Sequence, residues 1–346
     1  MRRTMGMFLA VVMSQPWVAS ARSLMYVPTG EANDIVIIDL AQDRVVGRID
    51  ELQNAHGLSA AAVGDYLVAG SMSSGEVGDS AGSKPAAVSE AEHRAHHAET
   101  PAESGSFVSI IHAGHGYVMR RVPVRAPTHH TAVSPDGRFA VAVHSGAGGI
   151  SVIDLDKMTV IKTVQTGARP NYAVFSRDGK RLYVSNAGPG TVSEINTADW
   201  SVVREIPVGN EPEHLAFTPG GPRLYAVNVG SGTVSEVDLP EGTIARTFKV
   251  GAKPHGIALS DDGRWMFVSS LGDGTLSRID LSDGEMKTVA LRPAPYHVAY
   301  VGEFNKLYVS SRMVSKIWVV DPATLKVRGE IALERGVAHQ MVVRRE

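Results

Sequence analysis

Residues 168–209, ARPNYAVFSRDGKRLYVSNAGPGTVSEINTADWSVVREIPVG, and residues 252–291, AKPHGIALSDDGRWMFVSSLGDGTLSRIDLSDGEMKTVAL, are two copies of one pattern. Each copy holds an apolar run, an Asp-Gly turn, a second run, a Gly-containing turn, a third run ending in Asn or Asp, and a fourth run. Ser134, Ser176, Thr218 and Ser260 share one register, 42 residues apart each time. The tetrads Ser134-Pro135-Asp136-Gly137 and Ser176-Arg177-Asp178-Gly179 have the chemistry of tight turns between antiparallel strands. Four short strands per 42 residues is the span of a propeller blade, which cannot bury both faces until neighbours stack on it. No helical periodicity competes.

Working outward from these copies closes a ring. First strands are expected to begin near His56, His129, Asn171, Glu213, His255, Tyr296 and Ala338. The N-terminal runs Leu24–Val27, Ile35–Asp39 and Val45–Ile49 supply three strands without a first one, and His339–Arg344 is a first strand without its blade. Joining them completes an all-β, seven-bladed β-propeller over residues 22–346, with four antiparallel strands per blade and no exposed sheet edge at the seam. Two segments fall outside the pattern. Residues 1–21 read as an export signal: Arg2 and Arg3, the apolar run Met5–Met13, and the small residues Ala19-Ser20-Ala21. Residues 72–105 are rich in Ser, Ala, Gly and Glu and read as a flexible insertion between the second and third strands of the second blade.

Tyr183-Val184-Ser185-Asn186 followed by Gly190-Thr191-Val192, and Tyr225-Ala226-Val227-Asn228 followed by Gly232-Thr233-Val234, resemble the YVTN-type β-propeller repeats. The resemblance covers essentially the whole mature chain. It implies the fold, and it leaves function open among surface proteins, lactonase-like enzymes, d1-haem proteins and metal-handling proteins. The nearest functional resemblance is to periplasmic propeller metallochaperones associated with zinc uptake.

Composition narrows the field. Lys and Arg number 34 against 36 Asp and Glu, a net charge of -2. That balance argues against a nucleic-acid partner, which needs clustered positive charge. Cys is absent, so the chain can form no disulfide, thiolate zinc site, iron–sulfur cluster or thioether-linked haem. No segment after the signal approaches the ~18 apolar residues of a membrane span. The mature protein is expected to be periplasmic or secreted.

The histidines carry the functional signal. One register of the first strands holds His56, His129, Asn171, Glu213, His255, Tyr296 and Ala338. The next holds Gly57, His130, Tyr172, His214, Gly256, His297 and His339. Seven histidines occupy these fourteen positions, where 13 among 346 residues would put about half of one. First strands line a propeller's channel, so the expectation is a ring of imidazoles at one mouth. Neutral imidazole binds Zn, Cu, Ni or Fe. The ligand sets expected from adjacent blades are His339, His56 and His129 or His130, and His214, His255 and His297, with Glu213 as an added oxygen ligand. The insertion offers His93, His96 and His97 as a further capture site over the ring.

The leading expectation is therefore a metal-binding protein, zinc foremost, with a metal-transport binding protein as partner; binding is favoured over catalysis. The alternatives are a haem-like (d1-type) cofactor, and a lyase or lactonase with a His/Glu site on the same face. There is no GxSxG, Walker, HExxH or EF-hand motif. Asp39, Asp154, Asp238 and Asp280 read as turn formers, and Tyr183, Tyr225 and Tyr308 as packing residues. His144 reads as a turn or channel-wall residue.

Overall fold

A computed structural model describes residues 22–60, 64–72, 75–76 and 104–345. The expected export signal, and His93, His96 and His97 of the expected insertion, lie outside these residues. Seven antiparallel sheets are arranged as a β-propeller, six of them four-stranded. Blade 1 has Val342–Arg345 as its innermost strand, followed outward by Ser23–Pro28, Ile35–Asp39 and Arg44–Ile49. Blade 2 runs Ala55–Ala60, Tyr66–Ser71, Ser104–His112 and Tyr117–Val124. The innermost strands of blades 3 to 7 are Thr131–Val133, Pro170–Phe175, Pro212–Phe217, Pro254–Leu259 and Pro295–Val301.

The turns behave as their composition dictates. Gly137, Gly179 and Gly263 hold φ of 74°, 69° and 69°, which only glycine adopts freely. At the first of these, Ser134 Oγ bonds Asp136 and accepts the Phe139 N–H, so the reversal is held from within. Asp39, Asp154 and Asp280 each accept backbone N–H groups from the residues just after them, as turn formers should. Between blades, alternate strand residues interdigitate. Val141, Val152, Leu182, Val184 and Trp200 join blades 3 and 4, while Met25, Val36, Tyr308 and Ile317 join blades 1 and 7.

Two details differ from expectation. The regular C-terminal strand begins at Val342 rather than His339, although His339 N–H already donates to Pro28 O at 3.0 Å. The third strand of blade 2 begins at Ser104, inside the expected limits of the insertion, and Gly75–Glu76 pair with Ser104–Gly105. The insertion therefore leaves blade 2 between its second and third strands, on the face where Met72 N–H bonds Asn54 O.

The seam of the ring is doubly fastened. Residues 342–345 pair with Ser23–Tyr26, and the buried Asp34 carboxylate receives Arg48 at 2.9 Å and Arg335 at 2.8 Å. Deleting residues 337–346 removes the innermost strand of blade 1 and exposes two strand edges. The truncated protein is expected to be insoluble, or to melt at least about 10 °C lower, as a loss of several kcal/mol in a domain of this size implies. An unchanged thermal midpoint by circular dichroism would exclude the closure.

Candidate metal centre

On a straight strand, neighbours such as Glu213 and His214 point to opposite faces. Here they do not, because the innermost strands carry β-bulges at this place. In blade 5, Pro212 pairs with Asn228 and Leu215 with Ala226, so Glu213 and His214 together oppose Val227. The same shift puts His56–Gly57, Asn171–Tyr172, His255–Gly256 and Tyr296–His297 two against one. In blade 3, His129 N–H donates to Val143 O while Val143 N–H donates to His130 O, at 3.0 and 2.9 Å. A bulge re-aims side chains, and it lets both registers supply imidazoles to the axis.

Local chemistry sustains these bulges. A second-strand serine accepts the N–H that the bulge leaves unpaired: Ser185 from Tyr172, Ser269 from Gly256 and Ser310 from His297, each at 3.0 Å. That is the work of the Ser in Tyr183-Val184-Ser185-Asn186. The residue entering each of these strands is left-handed: Asn54, Arg169, Glu211, Lys253 and Ala294 have φ between 42° and 51°. Gly57 and Gly256 are small for a reason. A Cβ at Gly57 would lie 2.5 Å from His130 Cα, and one at Gly256 2.3 Å from Tyr296 O.

The seven histidines of the two registers form two tiers. In the inner tier, His130 (blade 3), His214 (blade 5) and His297 (blade 7) are buried, and their candidate ligand nitrogens lie within 4.8 Å of one another. His130 Nδ1 is 3.0 Å from Asn171 O, and His214 Nδ1 is 2.7 Å from His255 O. A carbonyl accepts only, so each Nδ1 carries the proton and each Nε2 presents a lone pair. Those two Nε2 atoms face each other at 3.3 Å. His297 Nε2, also buried, has no partner among the described residues.

The outer tier holds His56, His129, His255 and His339. His56 stacks on His129 with centroids 4.5 Å apart and lies 4.0 Å from His339. Glu213 is 3.0 Å from His255 Nδ1, and Tyr296 stacks on the same ring at 3.9 Å. Glu213 thus serves an outer histidine rather than the inner cluster. Above this tier opens a cavity of about 410 Å³, lined in part by His56, His129, His339, Tyr296 and Arg312. Beneath the inner tier lies a void of about 70 Å³ floored by Gln340 and Met341. Gln340 donates to Tyr172 Oη at 3.0 Å and accepts Leu58 N–H, which plugs the axis.

The structure thus regroups the expected ligands. The inner tier draws on alternate blades 3, 5 and 7, joining His130 to His214 and His297 of the second expected set. His255 and Glu213 pair with each other, and His56, His129 and His339 gather around the mouth. His144 bonds Ser151 Oγ at 2.8 Å, as Asn186 and Asn228 bond Ser193 and Ser235, and stays structural. Arg312 was not legible as a site residue, although it breaks the repeat: it stands where other blades have Ala187, Val229 and Leu271.

Electrostatics keeps these rings neutral. Burial pushes His214 down to about 3 and His339 to about 3, and holds His56, His130, His255 and His297 well below the usual imidazole value. His129 is lowered by the same cause. Neutral imidazole is the metal-ligating form.

A YNCE-like beta-propeller family model matches residues 181–292. No curated protein sequence matches the chain. Among solved structures, the chain is similar to hydrazine synthase of Kuenenia stuttgartiensis (18% identity, TM-score 0.65, covering 84% of this chain and 95% of that one). It is also similar to the periplasmic gluconolactonase PpgL of Pseudomonas aeruginosa (16% identity, TM-score 0.72, 93% and 99%). A third is dihydro-heme d1 dehydrogenase NirN in complex with DHE (14% identity, TM-score 0.66, 89% of this chain), of which the chain spans only 63%. At these identities the likeness is one of fold. Among the described residues, no helix is long and apolar enough to cross a membrane.

Two outcomes follow from this geometry. Ser310→Ala leaves the buried His297 N–H without its acceptor and should cost about 1–3 kcal/mol in denaturant unfolding. An unchanged midpoint would show that the bulge does not need the hydroxyl. His339 titrates near 3 when folded and near 6.5 when unfolded, so only the unfolded chain takes up its proton between these values. Its stabilisation is complete above about pH 6.5 and shrinks as pH falls, by about 2 kcal/mol at pH 5. Metal-free His339→Asn should therefore lose stability less steeply between pH 7 and 5 than the parent. Parallel profiles would contradict the burial of a neutral ring.

Proposed function

We propose that this chain, a seven-bladed β-propeller of the YVTN-repeat type, is an exported protein that binds a transition-metal ion, zinc foremost, at His130, His214 and His297. One observation carries the reading. Two Nε2 lone pairs face each other at 3.3 Å with both Nδ1 protons engaged by backbone carbonyls. Two acceptors at that distance repel unless a cation lies between them. A proton is disfavoured there, because burial depresses both imidazoles. A metal ion needs no protonation.

The spacing suits the ion. Zinc bound tetrahedrally at 2.0–2.1 Å sets its nitrogens about 3.3–3.4 Å apart. His297 Nε2, buried and unpartnered among the described residues, completes a set of three neutral nitrogens by moving toward the other two, the cluster's candidate ligand atoms lying within 4.8 Å of one another. The backbone carbonyls on His130 and His214 act as the outer partners that fix tautomer and ring orientation at metal sites. Three nitrogen ligands leave a fourth position for water or an incoming ligand. On this reading the protein holds metal outside the cytoplasm and hands it to a metal-transport binding protein. The sequence of residues 1–21 supports export.

The test uses untagged protein stripped with a chelator and dialysed against Zn²⁺. One equivalent by elemental analysis is expected, with affinity reduced at least about 100-fold in the double variant His130→Ala/His297→Ala and unchanged in His112→Ala. Unchanged metal content in the double variant would overturn the assignment. A Soret band in protein purified from its native compartment would replace it with the haem-like alternative. Ester or lactone turnover abolished by Glu213→Gln would replace it with the enzymatic one.

A further inference from the structure

The mouth cavity has features that the inner nitrogens do not use. At about 410 Å³ it is within the range of small-molecule sites and far larger than one ion requires. Arg312 stands on its wall, exposed, with its guanidinium 5.3 Å over the Tyr296 ring, and pairs with no carboxylate among the described residues. Its charge is felt across the cavity, since it lowers the imidazoles of His56, His129, His255 and His339. Those rings stay neutral, so among the described residues Arg312 is the one fixed cation lining the site.

The rest of the lining has other chemistry. Glu31 and Asn54 supply oxygen acceptors, while Met72 and Val337 supply apolar surface. A compact polyanion would meet Glu31 unfavourably. A molecule with its charge at one end and hydroxyl groups along a short carbon chain fits both sides: carboxylate to Arg312 in bidentate geometry, hydroxyls to Glu31, Asn54 and the imidazole nitrogens, and carbon against Met72 and Val337.

The geometry points to the mouth cavity as a binding site for a small hydroxycarboxylate anchored by Arg312. The site stands over the inner histidines but does not depend on a metal there, so it goes beyond the proposed function and its test is separate from it.

The experiment is calorimetric titration of chelator-stripped, metal-free protein with D-gluconate, with the neutral polyol sorbitol as control. Saturable gluconate binding is expected, weakened at least about tenfold in Arg312→Gln, partly restored in Arg312→Lys, and unchanged in His297→Ala. Each variant is checked for an unaltered thermal midpoint. Absence of gluconate binding, equal binding of sorbitol, or indifference to Arg312→Gln would each overturn the inference. Loss of zinc binding would not touch it. Conversely, a chain that binds zinc but not gluconate would retain the metal reading alone.

Discussion

The bulge at the start of the innermost strands is the constraint on which the rest of the channel depends. A regular strand would send one histidine register toward the axis and bury the other between blades, where unpaired imidazole nitrogens would be costly. Setting two residues against one turns both registers to the centre. It also leaves an N–H unpaired, which the second-strand serine accepts in blades 4, 6 and 7. The left-handed residue at the strand entrance costs of order 1–2 kcal/mol. Its recurrence in five blades is understandable as part of the same device.

The result is a crowded column of imidazoles that the fold must tolerate. Five of the seven have a buried nitrogen with no partner among the described residues, and all seven are shifted toward the neutral form. Each such nitrogen costs free energy that a plain hydrophobic plug would not. Propellers can fill this channel with apolar side chains, and this one fills it with imidazoles. Arg335, which fastens Asp34, and the Gln340 plug both precede the strand that closes the ring, so closure and site construction share residues 335–345.

The two tiers divide the chemistry by depth. The inner histidines come from blades 3, 5 and 7, while the same register holds Tyr172 in blade 4 and glycine in blades 2 and 6, where a Cβ would strike the neighbouring strand. The outer histidines stand higher, beside Tyr296, Glu213 and Arg312, where solvent and larger molecules reach. A deep dry cluster favours a bare cation, and a wider mouth with one guanidinium favours an anionic organic molecule.

The repeat alone determined the blade number, the turn positions, the ring closure and the two registers from which every central histidine comes. These are local properties, set by apolar alternation, Asp-Gly turns and a fixed 42-residue period. Convergence was not legible. His130, His214 and His297 are 84 and 83 residues apart in the chain, and adjacency in blade order suggested other partners. Which nitrogens meet depends on bulge geometry and on the radius at which seven strands pack, and Arg312 entered only because its loop folds over the same mouth. Distances across an axis are set by the closed ring as a whole, so only the tertiary structure could decide them.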